Sequence, residues 1–188
     1  MNAPARRGWT VFQGVAVAAA LVTGQTFNLF NLPALSTHRD VKIQVEIQAP
    51  AEVVWNLLTD LPGYTRWNPY IYPAQGRIAE GQVLDLEVHA ASQTGQIEVK
   101  VLSVTPGRVM SWGGNVLGVS RTLTFTIDDL GSGRSRVTAE ELFNGVLLPF
   151  VGGVPDQARE GLTEMLGALR SAAEVESPGV SAAPTPKP

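Results

Sequence analysis

Between Val83 and Phe143 apolar and polar residues alternate in a series of short runs, and after Val154 that alternation gives way to a helical repeat. A period of two sends neighbouring side chains to opposite faces, so each run is a strand with one apolar and one polar side. Leu84, Leu86 and Val88 alternate with Asp85, Glu87 and His89, and Ile97, Val99 and Val101 with Gln96, Glu98 and Lys100. Arg121, Leu123, Phe125 and Ile127 share one face, opposite Ser120, Thr122, Thr124 and Thr126. A shorter run, Arg108 to Trp112, is expected to stop at Gly113-Gly114, and Arg136 to Phe143 follows the Gly131-Ser132-Gly133 turn. Short strands with one wet face build an antiparallel sheet.

The elements on either side fix the fold class. Val41 to Ile47 alternates as a first strand; Pro50 then opens a helix at a position where its missing N–H costs nothing. Val54, Leu57, Leu58 and Leu61 recur at helical spacing until Pro62-Gly63, and Tyr64 to Trp67 reads as a second short helix stopped by Asn68-Pro69. A strand around Ile71 to Ile78 is expected, interrupted by Pro73. The last helix, Val154 to Val175, carries one apolar stripe of Ala158, Leu162, Met165, Leu166, Leu169, Ala172 and Ala173. Strands in succession followed by a helix give an α+β domain with helices on one face of the sheet.

This body, residues 38–176, lies between two segments of different character. Ahead of it, Arg6-Arg7 is followed by thirty residues without a formal charge, with Val11 to Val22 the most apolar stretch. A basic start and a short apolar run form the pattern of a secretory signal, while Trp9 to Phe30 has about the ~20 residues that a membrane span needs. Residues 1–37 are therefore expected to be a signal peptide or membrane anchor, giving an exported or membrane-anchored domain with possible membrane association through this segment. The alternative is an apolar helix packed on the domain. Behind the body, residues 177–188 are rich in Pro, Ala and Ser and are expected to form a disordered tail.

Charge and residue inventory narrow the function. The body holds 11 basic and 17 acidic residues, a balance of the wrong sign for gripping a phosphate backbone, so no nucleic-acid partner is expected. The absence of Cys removes thiolate zinc sites and a Cys nucleophile. The only two histidines, His38 and His89, lie far apart in the sequence, and His89 reads as a solvated surface residue between acidic neighbours. No nucleophile elbow, P-loop or metalloprotease helix is present, so neither a cofactor nor a metal is expected.

Three stretches carry a family resemblance. They are Ile47-Gln48-Ala49-Pro50-Ala51-Glu52-Val53-Val54-Trp55 running into Leu58-Thr59-Asp60-Leu61, then Tyr64-Thr65-Arg66-Trp67-Asn68-Pro69-Tyr70-Ile71, then Glu140-Glu141-Leu142-Phe143-Asn144-Gly145. With the order of elements, they make residues 41–175 resemble the START-like helix-grip superfamily, within it the SRPBCC branch of polyketide cyclase/dehydrase and lipid transport proteins. The resemblance implies a curved antiparallel sheet wrapped around the long C-terminal helix, with an apolar cavity between them; a filled core is the alternative. Leu84, Leu86, Val99, Leu123 and Phe125 would face Leu162, Met165 and Leu166 across such a cavity.

One pair of charges breaks the apolar face. Arg121 shares its face with Leu123 and Phe125, and Glu141 shares its face with Val137, Ala139 and Phe143. Centring the hairpin turn near Gly131 sets the two opposite each other, or diagonal if the register slips by one pair. Opposite charges on an apolar face must pair, because an isolated buried charge is very costly. The pair is either a polar anchor for a ligand at the cavity wall or an internal strut that fixes strand register. The ligand-binding candidates are thus Leu84, Leu86, Val99, Arg121, Leu123, Phe125, Glu141, Leu162, Met165 and Leu166. The expected function is non-catalytic binding of a small hydrophobic molecule, a lipid or aromatic metabolite. The alternative is a cyclase or aromatase-like enzyme, which would need more polar groups in the pocket than this face supplies.

Overall fold

A computed structural model describes residues 37–90, 93–116, 118–150 and 153–177. All of these belong to one unit, Ser36–Pro188. Apart from Thr37 and Ser177, the expected export segment and the expected tail lie outside the described residues. Among the described residues, no helix is long and apolar enough to cross a membrane.

Seven strands form one antiparallel sheet: β1 (His38–Ile47), β2 (Ile71–Gln75), β3 (Val83–Ala90), β4 (Gln93–Thr105), β5 (Val109–Val116), β6 (Val119–Gly131) and β7 (Arg134–Asn144). Their order across the sheet is β1-β7-β6-β5-β4-β3-β2, so the chain crosses from β1 to β2 at the far edge and returns strand by strand until the last pairs with the first. Among the described residues two α-helices accompany them, α1 (Ala51–Thr59) between β1 and β2, and α2 (Val154–Glu176) after β7. Helix α2 packs against β1 at one edge of the sheet, against β3 near the other, and against β7. A flat sheet could not reach one helix from both sides; this one curls around it, which is the expected helix-grip arrangement.

The core follows the two periods. Inward residues of the strands, among them Val41, Ile47, Leu84, Phe125, Ile127, Val137, Ala139 and Phe143, are buried, as are Leu162, Met165, Leu166 and Leu169 on α2 and Val54, Leu57 and Leu58 on α1. Each fully buried Leu, Ile or Phe contributes about 1.5–3 kcal/mol relative to exposure. At the β1–α1 corner the buried Ser135 hydroxyl of β7 donates to the Ala49 carbonyl at 2.9 Å, satisfying a backbone group where the strand ends.

Two glycine-marked stops expected from the sequence do not fall where they were placed. Strand β5 runs through Gly113-Gly114 rather than stopping there. A Cβ on Gly113 would lie 2.6 Å from the Arg121 carbonyl, so the glycine admits a close approach of β6 where a larger residue could not sit. Similarly, Pro62-Gly63 does not end a helical run: both lie inside a single 3₁₀ segment, Leu61–Arg66, that starts directly after α1. Proline suits the start of that new turn, and the Asp60–Arg66 ion pair at 2.8 Å spans it. Tyr64, fully buried there, donates its hydroxyl to the Leu58 carbonyl at 2.7 Å.

Candidate functional site

The concave face carries a cavity at the end of the sheet where Arg121 and Glu141 lie. Its wall is formed by Leu86 and Val88 of β3, Ile97 and Val99 of β4, Trp112 of β5, and Leu123 beside the charged pair, with Tyr70 just ahead of β2. Gly113 and Gly114 floor it with bare backbone. Its volume is about 30 Å³, room for a single water-sized molecule.

The β6–β7 register settles how the charges meet. Arg121 is opposite Phe143 and Glu141 is opposite Leu123, so the two are diagonal neighbours, the second of the two registers allowed by the turn. Gly131 pairs with Arg134, so the turn is centred between Ser132 and Gly133 rather than at Gly131, and the shift between Asp129 and Gly131 takes up the odd residue. Arg121 donates from Nε at 2.8 Å and from Nη2 at 2.5 Å, both to Oε1 of Glu141. Glu141 is almost wholly buried, with 3% of its side chain exposed, while Arg121 keeps 22%. The guanidinium also lies 5.3 Å from the centre of the Phe143 ring. Burial alone would lower the Arg121 pKa, but Glu141 and Tyr70 beside it outweigh that and hold it above its ordinary value, so it stays charged.

Tyr70 completes the cluster. Its position depends on Asn68, which the sequence marks only as a helix stop. In the fold Asn68 is buried, and its Oδ1 accepts from the backbone N–H groups of Tyr70 (2.9 Å) and Ile71 (3.0 Å). That local turn aims Tyr70 inward, where it is 3% exposed. Its ring lies against bare backbone of α2, since a Cβ on Gly161 would fall 2.1 Å from the ring. Burial raises the Tyr70 pKa, Glu141 raises it further, and Arg121 pulls the other way; the hydroxyl keeps its proton.

Of the ten candidates, Leu86, Val99, Arg121, Leu123 and Glu141 come together around the cavity. Leu84, Phe125, Leu162, Met165 and Leu166 are packed in the core, each 0–1% exposed, and do not line it. The physical reason is that the α2 stripe packs directly on this part of the sheet, and no α2 residue belongs to the cavity wall. Tyr70, Trp112 and Glu98 were not among the candidates. The aromatic cluster around Asn68-Pro69 was the available signal for Tyr70, but it reads equally as rim packing. His89 departs from the surface reading: its ring stacks on Tyr72 at 4.1 Å, half-buried, with Nε2 2.7 Å from the Tyr72 carbonyl oxygen.

Residues 38–174 match the family described as polyketide cyclase / dehydrase and lipid transport. The chain belongs to that family. Among solved structures, the fold is similar to the Zhui aromatase/cyclase from Streptomyces sp. R1128, with 23% identity over 76% of this chain and 98% of that one and a TM-score of 0.57. It is similar to a START superfamily protein from Mycobacterium smegmatis at 23% identity, covering 73% and 98% of the two chains with a TM-score of 0.60. Norcoclaurine synthase from Thalictrum flavum shares 12% identity over 74% and 96%, again with a TM-score of 0.60. A search of curated proteins finds no sequence match. At these identities the structures speak for the fold, and the family spans both catalysis and transport.

Proposed function

We propose that this chain binds a small hydrophobic molecule, a lipid or an aromatic metabolite, in the cavity on the concave face, without transforming it. The observation that carries this reading is the wall itself: Leu86, Val88, Ile97, Val99 and Leu123 present apolar surface around one compact polar cluster, the usual composition of a ligand pocket. Ligand pockets occupy roughly 300–1,000 Å³, so binding must widen a cavity of about 30 Å³. Val88 and Ile97 are only half-buried and can yield without unpacking the core beneath α2.

Binding of N-phenyl-1-naphthylamine to the full chain tests this. A saturable rise in fluorescence is expected, and Ile97→Trp, which fills the wall, should abolish it in a folded protein. Equal binding in both proteins, or none in either, would sink the reading.

A second reading, a cyclase or aromatase-like enzyme, is supported by the Tyr70 hydroxyl standing beside Arg121 and Glu141, a group able to hold and move a proton. Under it, Glu141→Gln would keep ligand binding and lose turnover by about 10²–10⁴-fold; under the binding reading there is no turnover to lose. The location of the domain is a proposal of the same standing: residues 1–37 direct export or anchor the domain to a membrane. Finding the full chain in the soluble cytoplasm of its host would remove it.

A further inference from the structure

The inner pair is lopsided. Arg121 places both donors on Oε1 of Glu141, where a side-by-side pairing would have used both oxygens. The other oxygen, Oε2, is buried and has no hydrogen-bond partner among the described residues. A buried acceptor left unmade costs the full loss of its hydration, more for a charged group than for a neutral one. Glu141 belongs to the cavity wall, and the neighbouring Leu123 and Val99 side chains have no N–H or O–H to offer. Tyr70 and Trp112 carry donors in the same wall, but neither bonds Oε2, so the site is short of one donor at a defined place.

The chemistry of the missing partner follows from its surroundings. It must donate, so an ether or a ketone would leave Oε2 as it stands. It must not be anionic, since a carboxylate would meet Glu141 directly. Nor does it gain by being cationic, because Arg121 already neutralises Glu141 at contact distance. A neutral hydroxyl on an apolar body meets all three conditions. We infer that the ligand of this cavity is an alcohol or phenol whose O–H donates to Oε2 of Glu141, with its hydrocarbon portion against Leu86, Ile97, Val99 and Leu123. The inference rests on the binding reading above and adds the ligand class to it.

A matched series separates the two. Affinities of the full chain for 2-naphthol, 2-methoxynaphthalene and 2-naphthoate, measured by displacement of N-phenyl-1-naphthylamine, differ in one substituent on a constant ring. The expected order is 2-naphthol tightest, by about tenfold or more over the ether, the range for a hydrogen bond to a charged group, with 2-naphthoate weakest. In Glu141→Gln, whose amide oxygen can stay with Arg121, an N–H replaces Oε2 and the preference should turn toward the ether. Should that variant fail to fold, the wild-type series decides alone. Equal affinities for naphthol and ether overturn the inference while leaving cavity binding in place. Binding of none of the three, nor of the probe, overturns both.

Discussion

Strand β7 takes part in two Arg–Glu pairs, one on each face of the sheet. Outside, Arg136 of β7 faces Glu46 of β1 directly across the ladder, and Nη2 donates to Oε1 at 2.6 Å. Inside, Glu141 meets Arg121 at 2.5 Å along a diagonal. The distances are nearly equal, but the side chains of the outer pair are 35% and 52% exposed against 22% and 3% for the inner one. Bulk water can replace either partner outside, while inside Glu141 is all but withdrawn from it. The lesson is that contact distance says little about what an ion pair does for a fold; the environment of the weaker-hydrated partner decides.

The largest effect should come from separating the inner partners. Glu141→Leu or Arg121→Met alone leaves one charge stranded on the concave face and should cost roughly 3–5 kcal/mol in denaturant unfolding. The double variant, apolar on both sides, should recover most of that loss. If the single variants unfold like the parent, the two faces are energetically alike and the comparison collapses.

A smaller effect belongs to Tyr70, the inner pair's neighbour. Burial and then Glu141 push its pKa above the ordinary 10.0, against the pull of Arg121. A folded pKa above the unfolded one means that the protonated hydroxyl favours the fold. That contribution is complete below the unfolded value and is lost as pH rises through the folded one. Tyr70→Phe should therefore shallow the alkaline decline in stability above pH ~10, leaving the part due to the more deeply buried Tyr64, whose pKa its surroundings also raise. An unchanged alkaline limb would show that Tyr70 ionises as freely as in an unfolded chain.

The smallest effect is expected outside. The hydrogen bond from Arg136, then its charge, hold the Glu46 carboxyl below 4.5. Here the sign reverses: the contribution is present above 4.5 and lost as pH falls through the folded value. In Arg136→Met, NMR titration of Glu46 should return its midpoint toward 4.5, while the unfolding midpoint at neutral pH stays within error of the parent. A destabilisation comparable to that of the inner singles would erase the distinction between the faces.

Much of this was open to reading from sequence because it depends on local period. Alternation assigned Leu84, Leu86, Val99, Leu123 and Phe125 to the inner face, and the same parity put Arg121 and Glu141 there together. What alternation could not decide was whether the two would be opposite or diagonal, since that turned on the hairpin being centred between Ser132 and Gly133, beyond Gly131. Gly113-Gly114 misled for a related reason: glycine ends a strand in isolation, but here it answers a backbone approach from β6 that no local pattern reveals. The cavity lay furthest from view. Its wall takes no residue from the α2 stripe, and the aim of Tyr70 reflects two hydrogen bonds to Asn68 and a contact with a helix 91 residues further on.

That contact with Gly161 has a mechanical consequence. Tyr70 is clamped at its backbone by Asn68 and at its ring by a helix that has no side chain at that point. With backbone atoms behind it, the ring has no compressible neighbour to lean into. Any guest large enough to push on Tyr70 therefore loads α2 through a rigid strut, and the helix and the cavity must shift as one lever. Occupancy should then be felt along α2, as a change in how readily its amides exchange with solvent, even at turns no guest could touch.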